Sequence, residues 1–214
     1  MIQDLSTVAS FIEAPFTMER STPANTLVLH ATSHFSNELT AANALSKADG
    51  HAFDFIVGRS GGLCRMSRPD LSVPHLSGPS APAPGHEGAD VAIGLCNKGP
   101  VGRAVSTSKR YARRAPFGWI EARHSKARHI RFWEIFGKPQ LDTLVELMPA
   151  LIVAYPALRY VCGHEDMVKG AMDPGPAFPW ALLDWRELGL ARIQHDWRTG
   201  DWYRWGPKRR KVMT

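Results

Sequence analysis

The sequence predicts a mixed α/β domain, a central β-sheet flanked by helices, and three observations carry that prediction. Short apolar runs at residues 27–29, 52–57, 91–96 and 158–162 have strand length, and several are apolar at every position, as strands covered on both faces are. Residues 139–155 place Leu141, Leu144, Val145, Met148, Leu151, Ile152 and Tyr155 on one stripe at helical spacing. Runs of the two kinds alternate along the chain, which interleaves helices with strands.

In order, residues 1–20 show modest helical periodicity as far as Ile12, and Pro15 interrupts it, so this segment reads as an arm packed across the outside. Residues 27–30 form the first strand, with His30 at its exit. Residues 36–47 read as a helix capped by Ser36, with Leu39, Ala42 and Leu45 at helical spacing. The strand at 52–57 turns through Gly58-Arg59-Ser60-Gly61-Gly62 into 63–66 as a hairpin. Residues 67–88 form a long loop, with Pro79, Pro82 and Pro84 among small residues, expected to rim a cleft. Its histidines, His75 and His86, are either site residues or exposed loop histidines.

Residues 91–96 form another strand. The segment 101–131 has no sustained period and mixes cationic side chains with Tyr111, Phe117 and Trp119. It is either a stacking surface or an insertion packing its aromatics on the domain, and the insertion is favoured. In the helix that follows, Pro139 fits the first turn, while Pro149 falls inside and predicts a kink. The strand 158–162 leads to His164. Beyond residue 180 lie Trp185, Trp197, Trp202 and Trp205, and 191–197 against 202–205 reads as a hairpin whose aromatics pack on the domain or stack on sugars.

A chain of 214 residues is long enough to bury a sizeable core. No apolar run is long enough to span a bilayer, and Met1-Ile2-Gln3-Asp4-Leu5 lacks the start of a secretory signal, so synthesis is expected to end in the cytoplasm. Cys64, Cys96 and Cys162 cannot complete a disulfide framework and are expected to be buried and reduced. The net charge of +6 is concentrated in Lys109-Arg110-Tyr111-Ala112-Arg113-Arg114 and Lys208-Arg209-Arg210-Lys211. Such a balance suits any polyanion, including envelope phosphates and acidic peptides, and no nucleic acid is expected as partner.

Two strand-terminal histidines, His30 and His164, with Asp173 after a short loop make a donor set that suits zinc. Three protein ligands leave the fourth tetrahedral position open. The surrounding text is more specific. Gly163-His164-Glu165-Asp166, then Gly170 and Asp173-Pro174-Gly175-Pro176-Ala177-Phe178-Pro179-Trp180, resembles the C-terminal signature of the zinc-dependent N-acetylmuramoyl-L-alanine amidases, whose fold the peptidoglycan recognition proteins share. Leu27-Val28-Leu29-His30-Ala31-Thr32, Phe55-Ile56-Val57-Gly58-Arg59-Ser60-Gly61, Val73-Pro74-His75, Ile93-Gly94-Leu95-Cys96-Asn97-Lys98-Gly99 and Trp133-Glu134 follow in the family's order.

The resemblance covers residues 20–180, between an arm at 1–19 and a tryptophan-rich basic extension at 181–214. It implies an amidase-like mixed sheet and Zn2+ on His30, His164 and Asp173. It further implies hydrolysis of the amide between N-acetylmuramic acid and L-alanine in peptidoglycan or a muropeptide, an endolysin-like, bacteriolytic activity on cell-wall material. His75 matches a histidine near the family's substrate, and Lys169 is the nearest cation for the oxyanion, so both are candidate catalytic residues. The family's glutamate falls on Gly94, its alternative tyrosine on Phe53 and its lysine on Ala171, none of which moves a proton. Asp54, Glu121, Glu165 and Asp166 are the remaining acid/base candidates, with Glu165 and Asp166 equally suited to orienting His164 and capping its loop. The alternative reading is an impaired amidase fold that binds peptidoglycan or serves as an assembly component.

Overall fold

The computed structural model describes residues 4–5, 10–15, 17–20, 22–33, 37–47, 52–76, 90–103, 116–182, 184–199, 201–204 and 210–211. His86, both basic clusters apart from the backbone of residues 210–211, and Trp205 lie outside the described residues.

Five parallel strands make the centre. They are β3 (Thr26–Ala31), β4 (Phe55–Val57), β7 (Asp90–Leu95), β11 (Tyr160–Gly163) and β12 (Ala191–Asp196). The remaining strands of this sheet are β1 (Ser10–Phe11), β5 (Leu63–Arg65), β13 (Asp201–Arg204) and β14 (Arg210–Lys211). The sheet order is β1-β5-β4-β7-β3-β11-β12-β13-β14, mixed as the sequence predicts. From β3 the chain crosses to one side through α1 (Glu38–Leu45) and β4, and returns through α2 (Lys138–Ala154) to β11 on the other. Strand order therefore reverses at β3, and in open α/β sheets ligands bind at the carboxyl ends of strands beside such a reversal.

Strand alternation assigns the faces. Leu27, Leu29, Phe55, Val57, Val91, Ile93 and Leu95 point to one face, where Leu141, Leu144, Leu147, Met148 and Leu151 of α2 cover them. Each such side chain contributes about 1.5–3 kcal/mol on burial. Val28, Cys162, Met167, Ile193 and Trp202 pack on the other face, as do Ile56 and Cys64 with Ala41 and Ala42 of α1. His30 has the parity of Val28 and so lies on the face away from α2.

The structure departs from the sequence reading in four places. The arm forms strand at residues 10–11 and 18–19: β1 pairs with the free edge of β5, and β2 (Met18–Glu19) pairs with β6 (Leu71–Ser72). An open strand edge supplies backbone partners that outweigh weak helical periodicity. Helix α1 is capped by Asn37 rather than Ser36, its side chain accepting from the Thr40 amide at 2.8 Å, and Leu39 is exposed. Val145 on α2 is likewise exposed, with Leu147 taking the buried position. The segment after β7 holds a second, three-stranded sheet, β8 (Pro100–Arg103), β10 (Arg131–Glu134) and β9 (Trp119–Ala122).

The tryptophan-rich hairpin forms as β12 and β13, and β12 pairs with β11 to continue the main sheet. Two motif pieces far apart in sequence meet in one buried ion pair: Arg59 Nη2 lies 2.8 Å from Glu134 Oε2, which also accepts from the Lys98 amide at 2.6 Å.

Candidate metal centre

Parallel pairing of β11 with β3 sets Gly163 opposite Leu29, so the residues that follow them, His164 and His30, lie side by side. Their ring centroids are 4.4 Å apart. After β11 the short helix α3 (His164–Met167) and a turn bring the chain back to Asp173, where the Glu165 amide donates to the Asp173 carbonyl at 2.8 Å and closes the loop. Asp173 Oδ1 is 2.9 Å from His164 Nδ1, and Oδ2 is 3.7 Å from His30 Nδ1 and accepts from the Ala31 amide at 3.1 Å. One ligand atom from each of His30, His164 and Asp173 lies within 4.8 Å of the others.

The protonation of this set follows from its neighbours. His75 Nε2 is 3.5 Å from Asp90 Oδ2, and an ionised carboxylate only accepts, so in the neutral ring that nitrogen carries the proton. His75 Nδ1 is then the acceptor for His30 Nε2–H at 3.0 Å, which leaves His30 Nδ1 with its lone pair turned toward Asp173. His164 Nε2 is buried and without a hydrogen-bond partner among the described residues. Two imidazoles with one carboxylate are the donor set zinc prefers. The residues fit Zn2+.

His75 is thus placed behind His30, buried, and Lys169 is exposed on the loop between His164 and Asp173. Asp54, an acid/base candidate from sequence, is fully buried and engaged by Arg20 at 3.0 Å, by the Ala92 amide at 2.8 Å and by the Ser67 hydroxyl. Glu121 faces solvent on β9. Asp166 accepts from the Gly163 amide at 3.1 Å, and burial together with the neighbouring Glu165 pushes its carboxyl up to about 7. Arg192 faces the same acidic pair, and burial brings its guanidinium down to about 10.

Gly94 pairs in register with His30 on the adjacent strand, and the Phe53 ring, 4.9 Å from the His30 ring, covers it. The two positions where the family pattern expects a proton-transfer group are therefore one apolar contact.

Sequence reasoning passed over His124 and Lys126, and read Trp197 only as part of a hairpin whose aromatics pack on the domain or stack on sugars. His124 Nε2 lies 2.5 Å from Glu165 Oε2, the Lys126 ammonium donates to the Glu165 carbonyl, and Trp197 Nε1 donates to the same carbonyl at 3.3 Å. Burial pulls the Lys126 ammonium below the ordinary lysine value, against the raising pull of Asp166, Glu165 and Asp173. Neither segment carries a local pattern that would have pointed to the loop they meet.

The sequence matches no protein-family model and no curated protein. Solved structures do match. AmpD, as a selenomethionine derivative, is 17% identical over 85% of this chain and 94% of its own, with a TM-score of 0.51. The N-acetylmuramyl-L-alanine amidase AmiD from E. coli, in complex with anhydro-N-acetylmuramic acid-L-Ala-D-γ-Glu-L-Lys, is 17% identical over 85% of this chain and 63% of its own, with a TM-score of 0.53. The peptidoglycan recognition proteins LCa and LCx, with bound tracheal cytotoxin, give 13% identity over 82% of this chain and 96% of that one, with a TM-score of 0.50. The chain has the amidase and peptidoglycan-recognition-protein fold. At these identities the likeness is one of fold, and within that fold His30, His164 and Asp173 converge at the strand reversal. No helix among the described residues is long and apolar enough to cross a membrane.

Proposed function

We propose that the protein is a zinc-dependent N-acetylmuramoyl-L-alanine amidase acting on peptidoglycan or a muropeptide. The observation that carries this reading is the convergence of His30, His164 and Asp173 at the carboxyl ends of two adjacent parallel strands. His30, His164 and Asp173 would hold the metal, which would supply Lewis-acid polarisation of the scissile carbonyl and a water acidified to a pKa of about 7. His75 orients His30 by accepting its Nε2–H, and Asp90 holds His75 in that tautomer. Lys169, exposed on the ligand loop, is the donor to the developing oxyanion. Phe53 and the backbone at Gly94 form an apolar wall that keeps bulk water from one side of the ligand set.

That wall also favours a second reading, a muropeptide-binding protein without turnover, since no proton-transfer group stands at Phe53 or Gly94. One experiment separates the two. Zinc content and release of peptide from a muramoyl-peptide are measured for wild type, His164→Ala and Asp173→Ala. Metal-dependent release lost in both variants is the result expected. Zinc bound with muropeptide affinity but no release would establish the binding module, and equal zinc in all three proteins would remove the metal site.

A further inference from the structure

His164 and Asp173 are nine residues apart, and the loop that joins them is held internally by few backbone bonds. Glu165 N–H donates to the Asp173 carbonyl, Val168 N–H to the His164 carbonyl and Ala171 N–H to the Val168 carbonyl. Several carbonyls of this loop also take donors from two distant segments. Lys126, on the connection between β9 and β10, turns its ammonium onto the carbonyls of Glu165, Val168 at 3.3 Å and Ala171 at 3.4 Å. An ammonium has three protons, and three carbonyls take them. Trp197, after β12, donates its indole N–H to the same Glu165 carbonyl, and its ring centroid lies 5.1 Å from the Lys126 ammonium.

His124 completes the arrangement. Its Nδ1 accepts the Lys126 amide at 3.0 Å, so the proton of the neutral ring is on Nε2, aimed at Glu165 Oε2. This sets the backbone of Lys126 and the side chain of Glu165 on one ring.

We propose that Lys126 and Trp197, with His124, form a clamp that holds the 164–173 loop and act as positioning residues for His164 and Asp173. The clamp joins the segment before β10 and the strand pair β12–β13 to the centre at one carbonyl, that of the residue after His164. Lys126 is one ammonium on three carbonyls, so its removal takes a donor from the loop at three places at once. Its grip on the loop stands on these contacts alone, while its consequence for metal rests on the reading of the site given above.

The test compares wild type with Lys126→Met, Lys126→Arg and Trp197→Phe in the full chain. Two readouts are taken: hydrogen exchange at the amides of Glu165, Val168 and Ala171, and Zn2+ affinity by competition with a chelator. Lys126→Met is expected to speed exchange at the loop amides about 10-fold, with β3 and β7 unchanged. It is also expected to weaken Zn2+ by about 10- to 100-fold. Lys126→Arg should recover part of both effects, and Trp197→Phe should show a smaller effect of the same sign. Should Lys126→Met fail to fold, Trp197→Phe, which removes one N–H, decides alone. Loop exchange equal to wild type overturns the clamp, and faster exchange with unchanged Zn2+ affinity overturns the positioning role. If wild type and Asp173→Ala alike bind no Zn2+, the metal reading fails while the exchange measurement still decides the clamp.

Discussion

The Phe53 ring stands against Gly94 so closely that a Cβ on Gly94 would lie 2.5 Å from Phe53 Cδ2. Gly94→Glu alone therefore overpacks the contact, at about 1–3 kcal/mol, and is expected to lower the melting temperature without raising peptide release. The double variant Phe53→Ala with Gly94→Glu opens the space for a carboxylate beside His30. It is expected to release peptide faster than either single variant, by up to about 10² where proton transfer limits the rate. Faster turnover in Gly94→Glu alone at an unchanged melting temperature would contradict this account.

In the proposed metal site, His75 and Asp90 would act on the metal through His30. His75→Ala removes the acceptor for His30 Nε2–H, and Asp90→Asn removes the carboxylate facing His75 Nε2. Each is expected to weaken Zn2+ by about 10- to 100-fold, His75→Ala the more, measured by chelator competition at fixed pH. An affinity equal to wild type in both would show that His30 keeps its orientation unaided.

Gly175 is two residues after Asp173, at φ 78°, and a Cβ there would run into the six-membered ring of Trp133. Gly175→Ala combines a left-handed backbone cost of about 1–2 kcal/mol with overpacking against a fully buried tryptophan. Denaturant unfolding should give a loss of more than about 2 kcal/mol, and the displaced loop should bind Zn2+ more weakly. Trp133→Leu in the same chain should restore part of the Zn2+ affinity, and no recovery would place the fault elsewhere in the loop.

Cys64, Cys96 and Cys162 are free and buried, and burial raises all three thiols, Cys96 to about 11. A thiol reagent at pH 8 should label none of them until the chain unfolds. The folded state keeps these protons at pH values where the unfolded chain has released them. For Cys96 the stabilising contribution is thus full below about pH 9 and falls as pH rises toward 11, and Cys64 and Cys162 act in the same direction. Rapid labelling of native protein, or stability rising over that interval, would refute the burial argument.

Much of the fold, and the cluster of His30, His164 and Asp173 that could hold a metal, was legible in the sequence, because the signals involved are local. An apolar run such as 91–96, the stripe of α2, and a histidine where a strand stops can each be read within a dozen residues. The text around His164 and Asp173 carries the family resemblance in the same short range. What escaped was set by contacts between distant segments. Whether residues 10–11 form strand or helix depended on the open edge of β5, and whether the tryptophan-rich hairpin joins the sheet depended on the edge of β11.

His75 meets His30 across 45 residues, and Lys126 reaches the Glu165 carbonyl across 39. No periodicity marks either pair. The sequence by itself determined which residues are able to bind metal and which strands deliver them, since side-chain chemistry and strand propensity are properties of short segments. Only the tertiary structure decided that Phe53 covers Gly94, that His75 sits behind His30 and that two remote segments grip the ligand loop, because packing selects among side chains that local sequence leaves equivalent.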